Sequence, residues 1–157
     1  MKRFTVIFSL LLVIGFVGVL IYVGMSPEFV PPGEGLAARG EDSDAPVWKM
    51  DMEDMLDYLE TQGFMDREDL YEMAEGVATV GMGFQGAEVY WWDLDNLEEG
   101  SGEEKAYQEM TAEGTINVYG SGNFMAITKN GPFGLSVSYY EGDADALMEA
   151  FRTFGQK

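Results

Sequence analysis

The sequence predicts an α+β fold: a mostly antiparallel sheet of about five strands packed with helices, preceded by an N-terminal transmembrane helix and a linker. Three observations predict it. Phe4 to Val23 runs for twenty residues without a charge. Ser26 to Pro46 gathers four of the five prolines, with glycine and charge, and has no apolar period. Beyond Pro46, apolar residues recur first at helical spacing and then at alternate positions, in the order α-α-β-β-α-β-β-β-α. The chain thus divides into a signal-anchor (residues 1–25), a flexible linker (26–46) and an acidic domain (47–157).

At about 1.5 Å per residue, a helix over Phe4–Val23 spans roughly 30 Å, the thickness of a bilayer's hydrocarbon core. Lys2 and Arg3 precede it, and Glu28 and Glu34 follow. The positive-inside rule leaves the N-terminus in the cytoplasm and sends the domain across, a single-pass extracytoplasmic arrangement. The alternative is a cleaved secretory signal and a secreted domain. The run exceeds the roughly 7–15 residues of a signal's apolar core, and no A-x-A-like site follows. Without a cysteine there is no lipoprotein anchor.

Asp51 to Thr61 reads as a helix, because Met52, Met55, Leu56 and Leu59 share one stripe, and Gly63 stops it. A second short helix is expected from Arg67 to Glu75, capped by Asp66. Gly76–Phe84 and Ala87–Asp93 read as strands of a hairpin turning at Gln85–Gly86. Ser101-Gly-Glu-Glu104 is a capping box opening a helix with Ala106, Tyr107 and Met110 inward and Gly114 as its stop. Three strands follow, Thr115–Tyr119, Asn123–Lys129 and Phe133–Tyr140, with turns at Ser121–Gly122 and Asn130–Gly131. Phe133, Leu135, Val137 and Tyr139 alternate with smaller or polar residues, which predicts one core face and a two-layer domain. Asp143 caps the last helix, with Ala144, Leu147, Met148 and Phe151 as its stripe.

Composition excludes much chemistry. Histidine and cysteine are both absent, which removes Ser-His-Asp and Cys-His nucleophilic catalysis and the common zinc sites. Seven of the nine basic residues and all 28 acidic ones follow the apolar run, a net −21 beyond it. Such a field repels nucleic acid and anionic headgroups and attracts cations and basic partners. Gly81-Met-Gly-Phe-Gln-Gly86 matches G-x-G-x-x-G, but a strand follows it where a dinucleotide site needs a helix. Met50, Met52 and Met55 have Cu(I)-ligand chemistry, yet two of them lie on the Leu56–Leu59 stripe and read as core.

Two candidate sites remain. Trp91 shares a side of its strand with Val89, and Glu88, Tyr90 and Trp92 share the other. That second side is either a wet aromatic face, suited to a sugar, a peptide or a partner surface, or is covered by the first two helices. Asp93, Asp95, Glu98 and Glu99 gather carboxylates that suit Ca2+, although Leu97 and Glu98 break the EF-hand pattern. The leading expectation is a membrane-anchored, non-enzymatic binding or accessory domain that meets a protein partner or envelope ligand. A Ca2+-binding or cation-dependent module and a carboxylate-based glycan hydrolase are the alternatives.

Overall fold

The computed structural model describes residues 44–73, 76–118 and 122–156. The apolar run, most of the linker and the Ser121 turn position lie outside them. No helix among the described residues is long and apolar enough to cross a membrane.

The described residues form an α+β domain, with a five-stranded antiparallel sheet and three α-helices among them. A 3-10 turn, Pro46–Lys49, leads into α1 (Met52–Thr61). A second 3-10 turn, Arg67–Asp69, precedes the short strand β1 (Tyr71–Glu72). The hairpin β2 (Val80–Phe84) and β3 (Ala87–Trp91) follows, then α2 (Gly102–Glu113). Next come β4 (Thr115–Asn117), β5 (Phe124–Ala126), β6 (Thr128–Asn130) and β7 (Phe133–Ser136), and α3 (Ala144–Thr153) ends the fold. The main sheet runs β1-β2-β3-β7-β6, and β4 pairs with β5 in a separate two-stranded ribbon.

The main sheet is covered on both faces, which corrects the two-layer expectation. Val89 pairs with Leu135, and Trp91 with Phe133, so these side chains share a face. On that face the sheet meets Met55, Leu56 and Leu59 of α1 and Leu147 and Phe151 of α3 in one core. On the other face Tyr90 and Trp92 join Ala106, Tyr107 and Met110 of α2, with Ile116 and Ile127, in a second core. Gly134 makes this second layer fit: a Cβ there would stand 2.6 Å from Ile127 Cδ1 and 2.8 Å from Met110 Sδ. A small residue that reads as a solvent position is therefore a contact point.

Local signals explain most element ends. Asp51 and Asp54 form a reciprocal capping box at the start of α1. At α2 the box is half made. Ser101 Oγ accepts from Glu104 N at 3.0 Å, but the Glu104 carboxylate takes Gly100 N instead. The β2–β3 hairpin turns through Gln85 (φ 44°) and Gly86 (φ 82°), a two-residue loop with both angles positive that matches the strand twist.

Of the helix expected over Arg67–Glu75, residues 74–75 lie outside the described residues, and the described part is one 3-10 turn followed by β1, where Tyr71 and Glu72 pair with Gly83 and Met82. Arg67 instead reaches back to Glu53, Asp57 and Glu60 on α1, and hydrogen bonds to the Glu53 and Asp57 carboxylates raise its already high pKa. The run Asn123–Lys129 is two strands. At Ile127, whose N–H bonds Gly114 O at 2.9 Å, the chain leaves the ribbon for the main sheet.

Candidate functional site

Tyr90 and Trp92 are 2% and 0% exposed, and neither offers a ring to solvent. The wet-face expectation for them is corrected, and so is the identity of the cover, which is α2 and not the first two helices. Trp92 packs edge-on against Tyr107, with ring centroids 5.6 Å apart. Its Nε1 donates to Val77 O at 2.9 Å. Burial of both indole ends leaves Trp92 a core residue. Glu88 is half-buried and accepts from Tyr90 Oη at 2.7 Å, a bond between alternate residues of one strand.

The four acidic candidates separate. Asp93 is half-buried; Asp95, Glu98 and Glu99 are exposed. Asp93 Oδ2 accepts from Asn96 Nδ2 at 2.8 Å, and Asp93 N donates to Thr79 Oγ1 at 2.9 Å, so this residue closes a turn. Among the described residues no three acidic side chains converge as metal ligands would.

What the fold does assemble is a cleft of about 340 Å3 between Trp48 and Trp91. Three segments distant in sequence build it. The 3-10 turn, started by Pro46, carries Trp48, and the cap of α1 carries Asp51. The end of β3 carries Trp91, and the turn after it carries Asp93 and Asp95. Pro132, between β6 and β7, completes the lining. Two hydrogen bonds hold the segments together: Trp91 Nε1 donates to Met50 O at 3.2 Å, and Trp92 N donates to Pro132 O at 3.0 Å. Both flanking indoles are half-buried.

A second cavity of about 330 Å3 shares Trp48 as a wall. It is lined by Lys129, Arg152, Asn130 and Gln156, a basic and amide lining in an acidic domain. Lys129 Nζ stands 5.6 Å from the Trp48 ring centroid and 5.4 Å from that of Tyr107, within cation–π range of both.

The structure therefore brings Asp93 and Asp95 together with Asp51 at an aromatic cleft and leaves Glu98 and Glu99 outside it. Sequence reasoning missed Trp48 and Asp51. Trp48 stands at the end of the Pro-rich linker, with no periodic neighbour to mark it. A lone tryptophan one residue beyond Pro46-Val47 was the available signal. No protein-family model, curated protein or solved structure matches the chain.

Proposed function

We propose that this chain is a single-pass, signal-anchored binding or accessory protein. Phe4–Val23 holds it in the cell membrane with the N-terminus in the cytoplasm. The acidic domain outside presents the Trp48–Trp91 cleft to a protein partner or envelope ligand. The observation that carries the binding reading is the cleft itself: two half-buried tryptophans and three aspartates around one cavity. Half-buried aromatics beside polar groups are the usual furniture of recognition sites, where they supply contact area at small entropic cost. The uncharged run, flanked by Lys2 and Arg3 on one side and acid on the other, supports the anchor.

The hydrolase alternative gains an address, Asp51, Asp93 and Asp95, but little support. A general acid needs a proton held by burial or by a neighbouring carboxylate. Asp51 and Asp95 are exposed, and Asp51 Oδ1 is engaged by Asp54 N at 3.1 Å as a helix cap. Binding is the chemistry this arrangement favours.

The test is site-specific photo-crosslinking in the living cell. A photoreactive residue at Leu94, in the cleft lining, is compared with one at Glu113, exposed at the end of α2. The reading expects an adduct from Leu94 alone that is lost with Trp91→Leu. Equal adducts from both positions, or none from either, would end it. A reporter joined at the C-terminus and active only outside the membrane checks the orientation.

A further inference from the structure

We propose that the Trp48–Trp91 cleft takes a basic side chain, arginine or lysine, from a peptide segment of a protein partner. This rests on the binding reading above and adds the chemical class of the ligand. The cleft offers ring faces and acceptors. Trp91 has already used its N–H on Met50 O, so its ring presents a face without a free donor. Asp51, Asp93 and Asp95 add carboxylates, against one ammonium, that of Lys49.

A long cationic side chain matches the apolar, aromatic and acidic parts of that lining, which outnumber the single Lys49 ammonium. Its methylene stem covers the apolar wall of Pro132 and Leu94. Its charged head meets the indole faces, tryptophan being the best cation–π partner. Its N–H groups donate to the aspartates in charge-assisted bonds. A volume of about 340 Å3 lies at the small end of the roughly 300–1,000 Å3 of ligand pockets, which suits one inserted side chain.

The domain already uses this chemistry on the neighbouring side of the same tryptophan, where the Lys129 ammonium lies over the Trp48 and Tyr107 rings. The net charge of −19 points the same way. It steers basic segments inward and turns away phosphates, nucleic acids and anionic headgroups. An uncharged sugar would use the rings but not the acids.

The experiment titrates the whole chain, in detergent, with a blocked peptide, Gly-Arg-Gly-Arg-Gly, and with its twin carrying citrulline at both arginine positions. Citrulline keeps the shape and removes the charge. Tryptophan fluorescence and calorimetry read the binding at low and at physiological salt. The arginine peptide is expected to bind about 10-fold tighter than its twin or better, and Trp48→Leu and Trp91→Leu each to weaken it roughly 3- to 30-fold. The double variant Asp93→Asn, Asp95→Asn is expected to weaken it comparably, and it carries the test if a tryptophan variant does not fold.

Equal binding of the two peptides overturns the proposal, as does no binding of the arginine peptide at millimolar concentration. Unchanged affinity in folded tryptophan variants also overturns it, since that marks diffuse attraction to an acidic surface. A persistent Leu94 adduct beside equal binding of the two peptides would sink the cationic ligand and leave the cleft standing. Loss of both would sink the binding reading as well.

Discussion

Removing the Asn130 side chain is expected to destabilise the domain more than any single change at its surface. Asn130 ends β6 and is 6% exposed. Its amide nitrogen donates to Phe151 O at 2.7 Å and to Phe154 O at 2.9 Å, the carbonyls that close α3. Its carbonyl accepts from Gln156 Nε2 at 2.7 Å. The last carbonyls of a helix have no partner within it, so this one side chain performs a cap from across the fold.

In Asn130→Ala two carbonyls lose their donors. An orphaned buried group costs about 1–3 kcal/mol. Phe151 O keeps a longer bond from Phe154 N at 3.3 Å, so the sum sits nearer about 2–4 kcal/mol. For a domain of this size that lowers Tm by roughly 8–20 °C. The assay is thermal unfolding of the whole chain in detergent, followed by near-ultraviolet circular dichroism of the buried tryptophan and tyrosines. Asn130→Asp keeps the shape and turns the donor into an acceptor facing two carbonyls, so it is expected to do as badly. Gln156→Ala, which removes only the donor to the Asn130 carbonyl oxygen and leaves both helix-end carbonyls capped, is expected to cost less, about 1 kcal/mol. A drop under about 3 °C in Asn130→Ala would refute the reasoning, because it would mean the helix end finds other donors at no cost.

Tyr140 is held above its usual pKa by burial, with Asp143 adding to the shift, and its hydroxyl donates to Phe64 O at 2.9 Å. The unfolded chain therefore loses this proton first: the contribution to stability is whole below about pH 10 and falls as pH climbs through the folded value. Tyr140→Phe is expected to cost about 0.5–1.5 kcal/mol at neutral pH and to flatten the alkaline decline, read from denaturant midpoints across pH. Gly86→Ala is expected to cost roughly 2 kcal/mol or more, since φ is +82° and a Cβ would stand 1.9 Å from Tyr139 O. Gly83→Ala meets only the outer ring atoms of half-exposed Tyr71, which can swing away, and is expected to cost under about 1 kcal/mol; equal losses in the two variants would contradict this contrast. Millimolar Ca2+ at fixed ionic strength is expected to leave Tm unchanged, because Asp93 is engaged with Asn96 and no third carboxylate converges with its neighbours among the described residues. A rise of several degrees would restore the cation site.

What the sequence made legible was whatever a local rule decides. Met52, Met55, Leu56 and Leu59 recur at helical spacing, and all four are buried. Asp143 precedes its stripe and accepts from Ala146 N at 3.0 Å. Gln85–Gly86 turns because two positive φ angles were needed there and the glycine supplies one at no cost. The misreadings share a different cause. Alternation of Phe133 and Leu135 with Gly134 and Ser136 reads as core against solvent, but glycine in a strand has two meanings. It ends a side chain's reach, and it also admits a close neighbour. Here Ile127 and Met110 fill the space, and the supposed outer face carries the second core. Once that face is covered, Tyr90 and Trp92 have nowhere to be but inside.

The cleft was beyond the reach of any such rule. Its walls come from residues 48–51, 91–95 and 132, and no periodicity or spacing relates a tryptophan at the edge of a linker to the last residue of a strand. The tertiary bonds from Trp91 to Met50 and from Trp92 to Pro132 create the relation. The aspartates at the cleft's rim stand on a helix cap and a turn, which local hydrogen bonds secure. The distance between the indoles depends on the packing of the 3-10 turn against the sheet. That turn is held by Val47, which is 1% exposed and donates its N–H to Gly155 O at 3.1 Å, one residue past the Phe154 carbonyl that Asn130 secures. The end of α3 thus supports the Trp48 wall from behind. Substitutions there would loosen the cleft without touching a single residue that lines it.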